Sequence, residues 1–310
     1  MSEGPPSASA PELSIVIVVV AGREPLARCL EALRRQEGAG SREVIVAHDD
    51  QHPDVQALEP RFADASFLRV PGTRTFAELR AAGVARAAAP IVALTEDHCA
   101  ADPRWAAALV AAHAEDPRRA AVGGVVEKAL PDTALDWAVY LLDYARYAGP
   151  QADGPVHALT DCNVSYKRSA LAPLAALWRD EFHEPTVHAA LEQGGLVLWL
   201  ASAMVVWQRR PFTLMGALRD RWQYGRLFGS LRAAGTPFSK RLVLAALAPA
   251  VPALQVLRVA QHAHRAPQLR AGLLRALPWV VLLAVAWGAG ELAGYATGRP
   301  PAALAARSLR

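Results

Sequence analysis

Cysteine is scarce in this chain of 310 residues: Cys29, Cys99 and Cys162 stand far apart, with no Cys-x-x-Cys spacing among them. That excludes a disulfide framework and a thiolate zinc site, and it suits a reducing compartment. Aromatic residues make up only 7% although 53% of the chain is hydrophobic. The apolar excess therefore sits in Ala, Val and Leu, which pack helices and parallel strands, and a disordered chain is excluded. No internal repeat or low-complexity tract is present. The first eleven residues lack the charged-then-apolar order of a secretory leader, so the first domain is expected to stay cytoplasmic. Net charge is a modest +4, but acidic residues thin out where Arg clusters between Arg209 and Arg275. A basic, apolar final third suits an anionic membrane surface. It carries no helix-turn-helix or zinc module, so nucleic acid is not an expected partner.

What the chain does have is alternation. Residues 13–20 form a nearly continuous β-branched run, the pattern of a strand covered on both faces. Leu26, Leu30 and Leu33 then recur at helical spacing behind Pro25, and 43–47 reads as a second buried strand. Strands over 66–70, 91–95 and 121–127 alternate with helices over 76–88, 105–114 and 137–147, and further strands are expected over 163–166 and 196–207. This order predicts an α/β domain with a mainly parallel sheet flanked by helices. Ligands of such sheets bind beyond the C-terminal strand ends. His48-Asp49-Asp50 and Glu96-Asp97-His98 both fall at such ends, so two acidic clusters point at one crevice.

Several motifs follow one another in a telling order. Arg23-Glu24-Pro25-Leu26 and Cys29-Leu30-Glu31-Ala32-Leu33 precede Glu43-Val44-Ile45-Val46 and Asp49-Asp50; Leu79-Arg80-Ala81-Ala82-Gly83 and Ala93-Leu94-Thr95-Glu96-Asp97-His98 come next. Asn163-Val164-Ser165-Tyr166-Lys167-Arg168 and Asp180-Glu181-Phe182-His183-Glu184 close the series. Together they resemble the family 2 glycosyltransferases, which have the GT-A fold, and the similarity covers roughly residues 13 to 210. The resemblance implies inverting transfer of a hexose-type sugar from a nucleoside-diphosphate sugar, assisted by Mg²⁺ or Mn²⁺. It places Asp49 against the base or ribose, Arg80 near the phosphates, and Glu96 and Asp97 at the family's DxD position. Asp97 is then the first choice as metal ligand, with Glu96 second and His98 a further option for Mn²⁺. Glu184 or Glu181 would take the proton of the attacking hydroxyl, with His183 as a substitute. Asp161 and Asn163 would hold acceptor hydroxyls, and Arg226, in the Arg- and Tyr-rich stretch after the domain, an acceptor pyrophosphate.

Plain structural roles compete with each assignment. Asp49 and Asp50 also suit a strand-end turn, Arg80 a solvated helix position, Asn163 a turn, Arg226 a basic surface helix, and Glu184 a charged helix start before Pro185. The chain departs from the family pattern as well: Val19-Val20-Ala21-Gly22 replaces a polar first-strand end, Thr95 replaces the first Asp of DxD, and Pro185 replaces an Asp. These departures leave a catalytically inactive GT-A scaffold as the alternative. A nucleotidyltransferase is disfavoured, because no Gly-rich, Lys-containing phosphate loop follows the first strand.

The expected domain plan is a flexible 1–12, a GT-A domain over 13–210, and a basic, hydrophobic helical tail over 211–310 that meets membrane lipids. Within the tail, 242–254 is short and interrupted by Pro249 and Pro252, whereas 276–290 runs on towards the ~20 residues that span a bilayer. Arg and Lys flank the first segment on both sides, which favours a re-entrant or interfacial segment followed by one span. The expected setting is the cytoplasmic membrane, with the catalytic domain in the cytoplasm and a lipid-linked or polysaccharide acceptor.

Overall fold

The computed structural model describes residues 10–38, 40–129 and 133–299. The first nine residues of the stretch expected to be flexible, and the last eleven of the expected tail, lie outside the described residues. The chain divides into two compact units, one reaching Glu127 and resuming over Gln151–Arg209, the other comprising Lys128–Pro150 and all that follows from Arg210. The expected 13–210 domain is therefore interrupted by a segment that groups with the C-terminal helices.

In the first unit, β1 (Leu13–Val18) is buried along its whole length and pairs on both edges, with β2 (Arg42–His48) and β4 (Ile91–Glu96). Helix α1 (Arg23–Arg34) turns Leu26, Cys29, Leu30 and Leu33 into the core and carries Pro25 in its first turn, where no backbone donor is needed. After β3 (Ala65–Arg69), α2 (Phe76–Arg86) opens on a capping box in which Thr75 and Glu78 exchange hydrogen bonds of 3.1 and 2.7 Å. Gly83 of this helix lies directly on Val16, where a β-carbon would collide with the valine side chain. That close approach presses α2 onto the sheet and brings Arg80 to its buried face.

The remaining elements of this unit are β5 (Cys99–Ala101), α3 (Trp105–Glu115), β6 (Arg119–Lys128), β7 (Gly154–Pro155), β8 (Asn163–Lys167), the short helices α5 (Arg168–Leu171) and α6 (Ala175–Trp178), α7 (Glu184–Gln193) and β9 (Val197–Gln208). Among the described residues the strands form one sheet in the order β3-β2-β1-β4-β8-β6-β9-β5, with β7 against β9. The β3-β2-β1-β4 half is parallel, as the strand–helix alternation requires. Strand β8 joins it antiparallel to β4 and to β6, and β9 runs antiparallel to β5 and β7. Three residues cannot announce a strand by periodicity, so β5 is visible only as the partner of β9.

The second unit is helical, built from α4 (Ala134–Tyr144), α8 (Leu214–Ala233), α9 (Phe238–Leu247), α10 (Val251–Ala263) and α11 (Pro267–Thr297). Here the expectation of one long segment is corrected. Pro249 sits in a single 3₁₀ turn over Ala248–Ala250 and Pro252 in the first turn of α10, so neither removes a needed backbone bond and helical structure continues from Phe238 to Ala263. Both this 26-residue stretch and the 31-residue α11 are long and apolar enough to cross a membrane, by length and composition. Helices α8 and α11 meet through paired Gly-x-x-x-Gly steps: β-carbons on Gly225 and Gly229 would strike the carbonyls of Trp287 and Glu291, and on Gly290 and Gly294 those of Trp222 and Arg226.

Candidate active site

The site grows from the C-terminal ends of β1, β2 and β4. At the end of β4, Asp97 donates its backbone N–H to Val18, and its Oδ2 accepts from the N–H groups of Ala21 and Gly22 at 2.8 and 2.9 Å. Those two donors open helix α1, so the carboxylate also meets the positive end of the helix. Gly22 holds a φ of +95°, a conformation side-chain-bearing residues rarely adopt. The apolar sequence Val19-Val20-Ala21-Gly22 thus serves as a backbone cradle for Asp97.

Asp97 is 1% exposed, and its second oxygen, Oδ1, is buried without a hydrogen-bond partner. The Nδ1 of His98, also buried and unpartnered, lies 3.6 Å from it. A buried carboxylate oxygen without a partner is costly, and an O and N donor pair of this kind suits a divalent cation. Among the described residues no group of three ligating side chains gathers, so oxygens from a bound phosphate would have to complete the coordination. To that extent the residues fit the metal expected at Asp97.

Arg80 is the hub of the site. Its Nη2 donates to Glu96 Oε1 at 2.7 Å and to Asp161 Oδ2 at 2.6 Å, and its Nε lies 3.1 Å from Glu184 Oε1 at an angle too poor for a hydrogen bond. Burial alone would depress this guanidinium, but Asp161, Glu184 and Glu96 hold it above the ordinary arginine range. Glu96 Oε2 in turn stands 3.4 Å from His98 Nε2. One continuous polar chain therefore links α7, α2, β4 and the β1–α1 loop. Arg80 thus gives its Nη2 to Glu96 and Asp161, because only a permanent cation can offset that much buried negative charge.

Glu184 starts α7 and is 8% exposed. Burial pushes its carboxyl up to about 7, against the lowering influence of Arg80, and the nearby Asp161 and Glu96 charges push the same way as burial. Glu181 is half-buried and pairs with His183 at 3.1 Å rather than with Arg80. Of the two residues expected to serve as base, Glu184 is the one joined to the Arg80 network. Asp161 also belongs to that network, with its side chain 37% exposed.

Other expected residues take different places. Asp49 is buried and closes a turn, accepting from Gln51 N–H and Nε2 at 3.0 and 2.8 Å and from Arg74 N–H at 2.7 Å. Asn163 is fully buried and its amide is spent: Trp105 Nε1 donates to its Oδ1 at 2.8 Å, and its Nδ2 donates to Val125 and Met204 carbonyls at 2.8 and 2.9 Å. It forms an internal tie between α3, β6 and β9. The Thr95 hydroxyl donates to the Cys162 carbonyl at 3.0 Å, where a carboxylate would face an oxygen. Arg226 lies in the second unit on α8, over the Trp222 ring. The pairing of Arg80 with Glu184 escapes sequence reading, because nothing local connects positions 104 residues apart.

A parallel half-sheet with acidic groups gathered at its C-terminal strand ends defines the class, an α/β fold with a ligand crevice at those ends. A sequence model for "Glycosyl transferase family 2" matches residues 14–174, more than half of the chain, and the chain belongs to that family. Among solved structures it is similar to the mannosyltransferase PcManGT from Pyrobaculum calidifontis, determined in complex with GDP-Man and Mn²⁺. The two share 17% identity with a TM-score of 0.51, covering 91% of this chain and 90% of the other. That likeness carries the fold. No curated protein sequence matches the chain.

Proposed function

We propose that the chain transfers a hexose-type sugar, with inversion, from a nucleoside-diphosphate sugar to a lipid-linked or polysaccharide acceptor at the cytoplasmic membrane face. The observation that supports this reading is the convergence of Glu96, Asp161 and Glu184 on Arg80 beside Asp97, in a protein of this family. Glu184, raised to about 7, suits a general base that is half deprotonated near neutrality. As the acceptor oxygen bonds to the anomeric carbon, Glu184 takes its proton. The bond from that carbon to the diphosphate breaks, and the nucleoside diphosphate leaves with the electron pair.

Asp97 through Oδ1 would hold Mg²⁺ or Mn²⁺, with Glu96 as the second candidate and His98 an option for Mn²⁺, and the metal would supply Lewis-acid neutralisation of the leaving diphosphate. Asp161 is partly open and suits a sugar hydroxyl, Asp49 would orient the base or ribose, and Arg226 would meet an acceptor pyrophosphate. Residues 13–210 would work in the cytoplasm and 211–310 would attach the enzyme to the cytoplasmic membrane, an arrangement favoured by the Arg and Lys flanking the first apolar segment.

The test is turnover of a panel of nucleoside-diphosphate sugars with Mn²⁺ or Mg²⁺, by transfer or hydrolysis. Asp97→Asn can still accept from Ala21 and Gly22 but loses the charge, so a folded, inactive variant is expected. A wild-type protein inert towards every donor would favour the non-catalytic scaffold instead.

A further inference from the structure

The helical unit contains a cavity of about 540 Å³ framed by the C-terminal end of α4, by α8, α10 and α11. Its polar lining is mostly basic: Arg146, Arg221 and Arg258 face one carboxylate, Asp143, with His262 beside them. Asp143 is taken by Arg221, whose Nη2 stands 2.8 Å away. Among the described residues Arg258 makes no hydrogen bond or ion pair, and His262 Nδ1 is buried without a partner. Positive charge thus exceeds the local negative charge in a pocket that also holds unspent donors.

The rest of the lining is apolar, with Leu141, Leu142, Val259 and Trp287. On the outer surface of α10, Leu254 and Leu257 are exposed at 49% and 54%. Leu254 lies one helical turn before Arg258 and so on the same face. A guanidinium cluster that opens beside exposed leucines, on a helix apolar enough to enter a bilayer, matches a molecule with an anionic head and a hydrocarbon tail.

We infer that this cavity binds the phosphate headgroup of an anionic membrane phospholipid, held by Arg258, Arg146 and Arg221, with its acyl chains along Leu254 and Leu257. The inference rests on the membrane attachment proposed above but not on sugar transfer. Lipid bound there would tie α4, α8, α10 and α11 together.

The test titrates the full-length protein, in neutral detergent, with phosphatidylglycerol, phosphatidylcholine or inorganic phosphate, and reads the shift in melting temperature. Saturable stabilisation by phosphatidylglycerol alone is expected. Arg258→Ala, at an exposed position, should melt like wild type without lipid, yet it and Arg146→Ala should each weaken phosphatidylglycerol binding about fivefold, the worth of one basic side chain near an anionic lipid surface. Arg258→Lys should retain most of the binding. Equal shifts with phosphatidylcholine, full reproduction of the shift by inorganic phosphate, or unchanged binding by both alanine variants would each overturn the site. Flotation with phosphatidylcholine vesicles separates the two readings: a chain that floats without any phosphatidylglycerol preference keeps its membrane attachment and loses this site, and a chain that never floats loses both.

Discussion

Glu184 carries two opposite pH dependences. As a base it must be deprotonated, so kcat/KM should rise with pH through about 7, and Glu184→Gln should lower it at least ~10²-fold. A pH profile with no limb near 7 would remove Glu184 from the mechanism. For stability the sign is reversed. The folded carboxyl titrates above its unfolded value of 4.5, so its contribution is fully present below about 4.5 and is lost as pH rises through about 7. Melting curves across that window should show wild type losing stability relative to Glu184→Gln. Arg80 gives a complementary test. Arg80→Met would leave Glu96, Asp161 and Glu184 without their cation, and breaking such a buried pair costs about 3–5 kcal/mol. That loss should shrink at acid pH, where the carboxylates protonate, and chemical denaturation at two pH values would show it. Carboxylates at 96, 161 and 184 are visible as letters in the sequence, but their convergence on one guanidinium is not.

At the scale of elements, several features are set by glycine. On the α8–α11 face, Gly229→Ala would drive a methyl group into the Glu291 carbonyl, and on α2, Gly83→Ala would drive one into Val16. Overpacking of this kind costs about 1–3 kcal/mol, so each variant should melt below wild type. An unchanged melting temperature for both would mean that the helices are free to move apart. Gly83→Ala should also lower turnover, because α2 positions Arg80. Most elements were legible from periodicity: β1, β2 and β4 as continuous apolar runs, α1 by its leucines, and α2 by its polar start and Ala-rich face. Two were not. Strand β5 has only three residues, and the helix over Phe238–Ala263 hides behind prolines that break helices in most settings but not in a first turn.

For the whole molecule the prediction concerns attachment. If the helical unit crosses the bilayer, the full-length chain should stay with membranes through alkaline carbonate and high salt; release by carbonate would mean that it only lies on the surface. Glu291 bears on the same question, because a carboxylate within α11 is buried and accepts from Tyr295 Oη at 2.6 Å and Trp287 Nε1 at 3.1 Å, partners that an apolar setting demands.

The sequence by itself determined the α/β alternation, the acidic strand ends at Asp49 and Asp97, and the apolar, basic character of the final third, because each is written in residues close together. Only the tertiary structure decided that Arg80 serves carboxylates, that Asn163 is an internal tie, that Glu184 rather than Glu181 joins the hub, and that Lys128–Pro150 groups with the C-terminal helices. Those outcomes depend on which side chains meet across long separations, and on which of them lose water when they do.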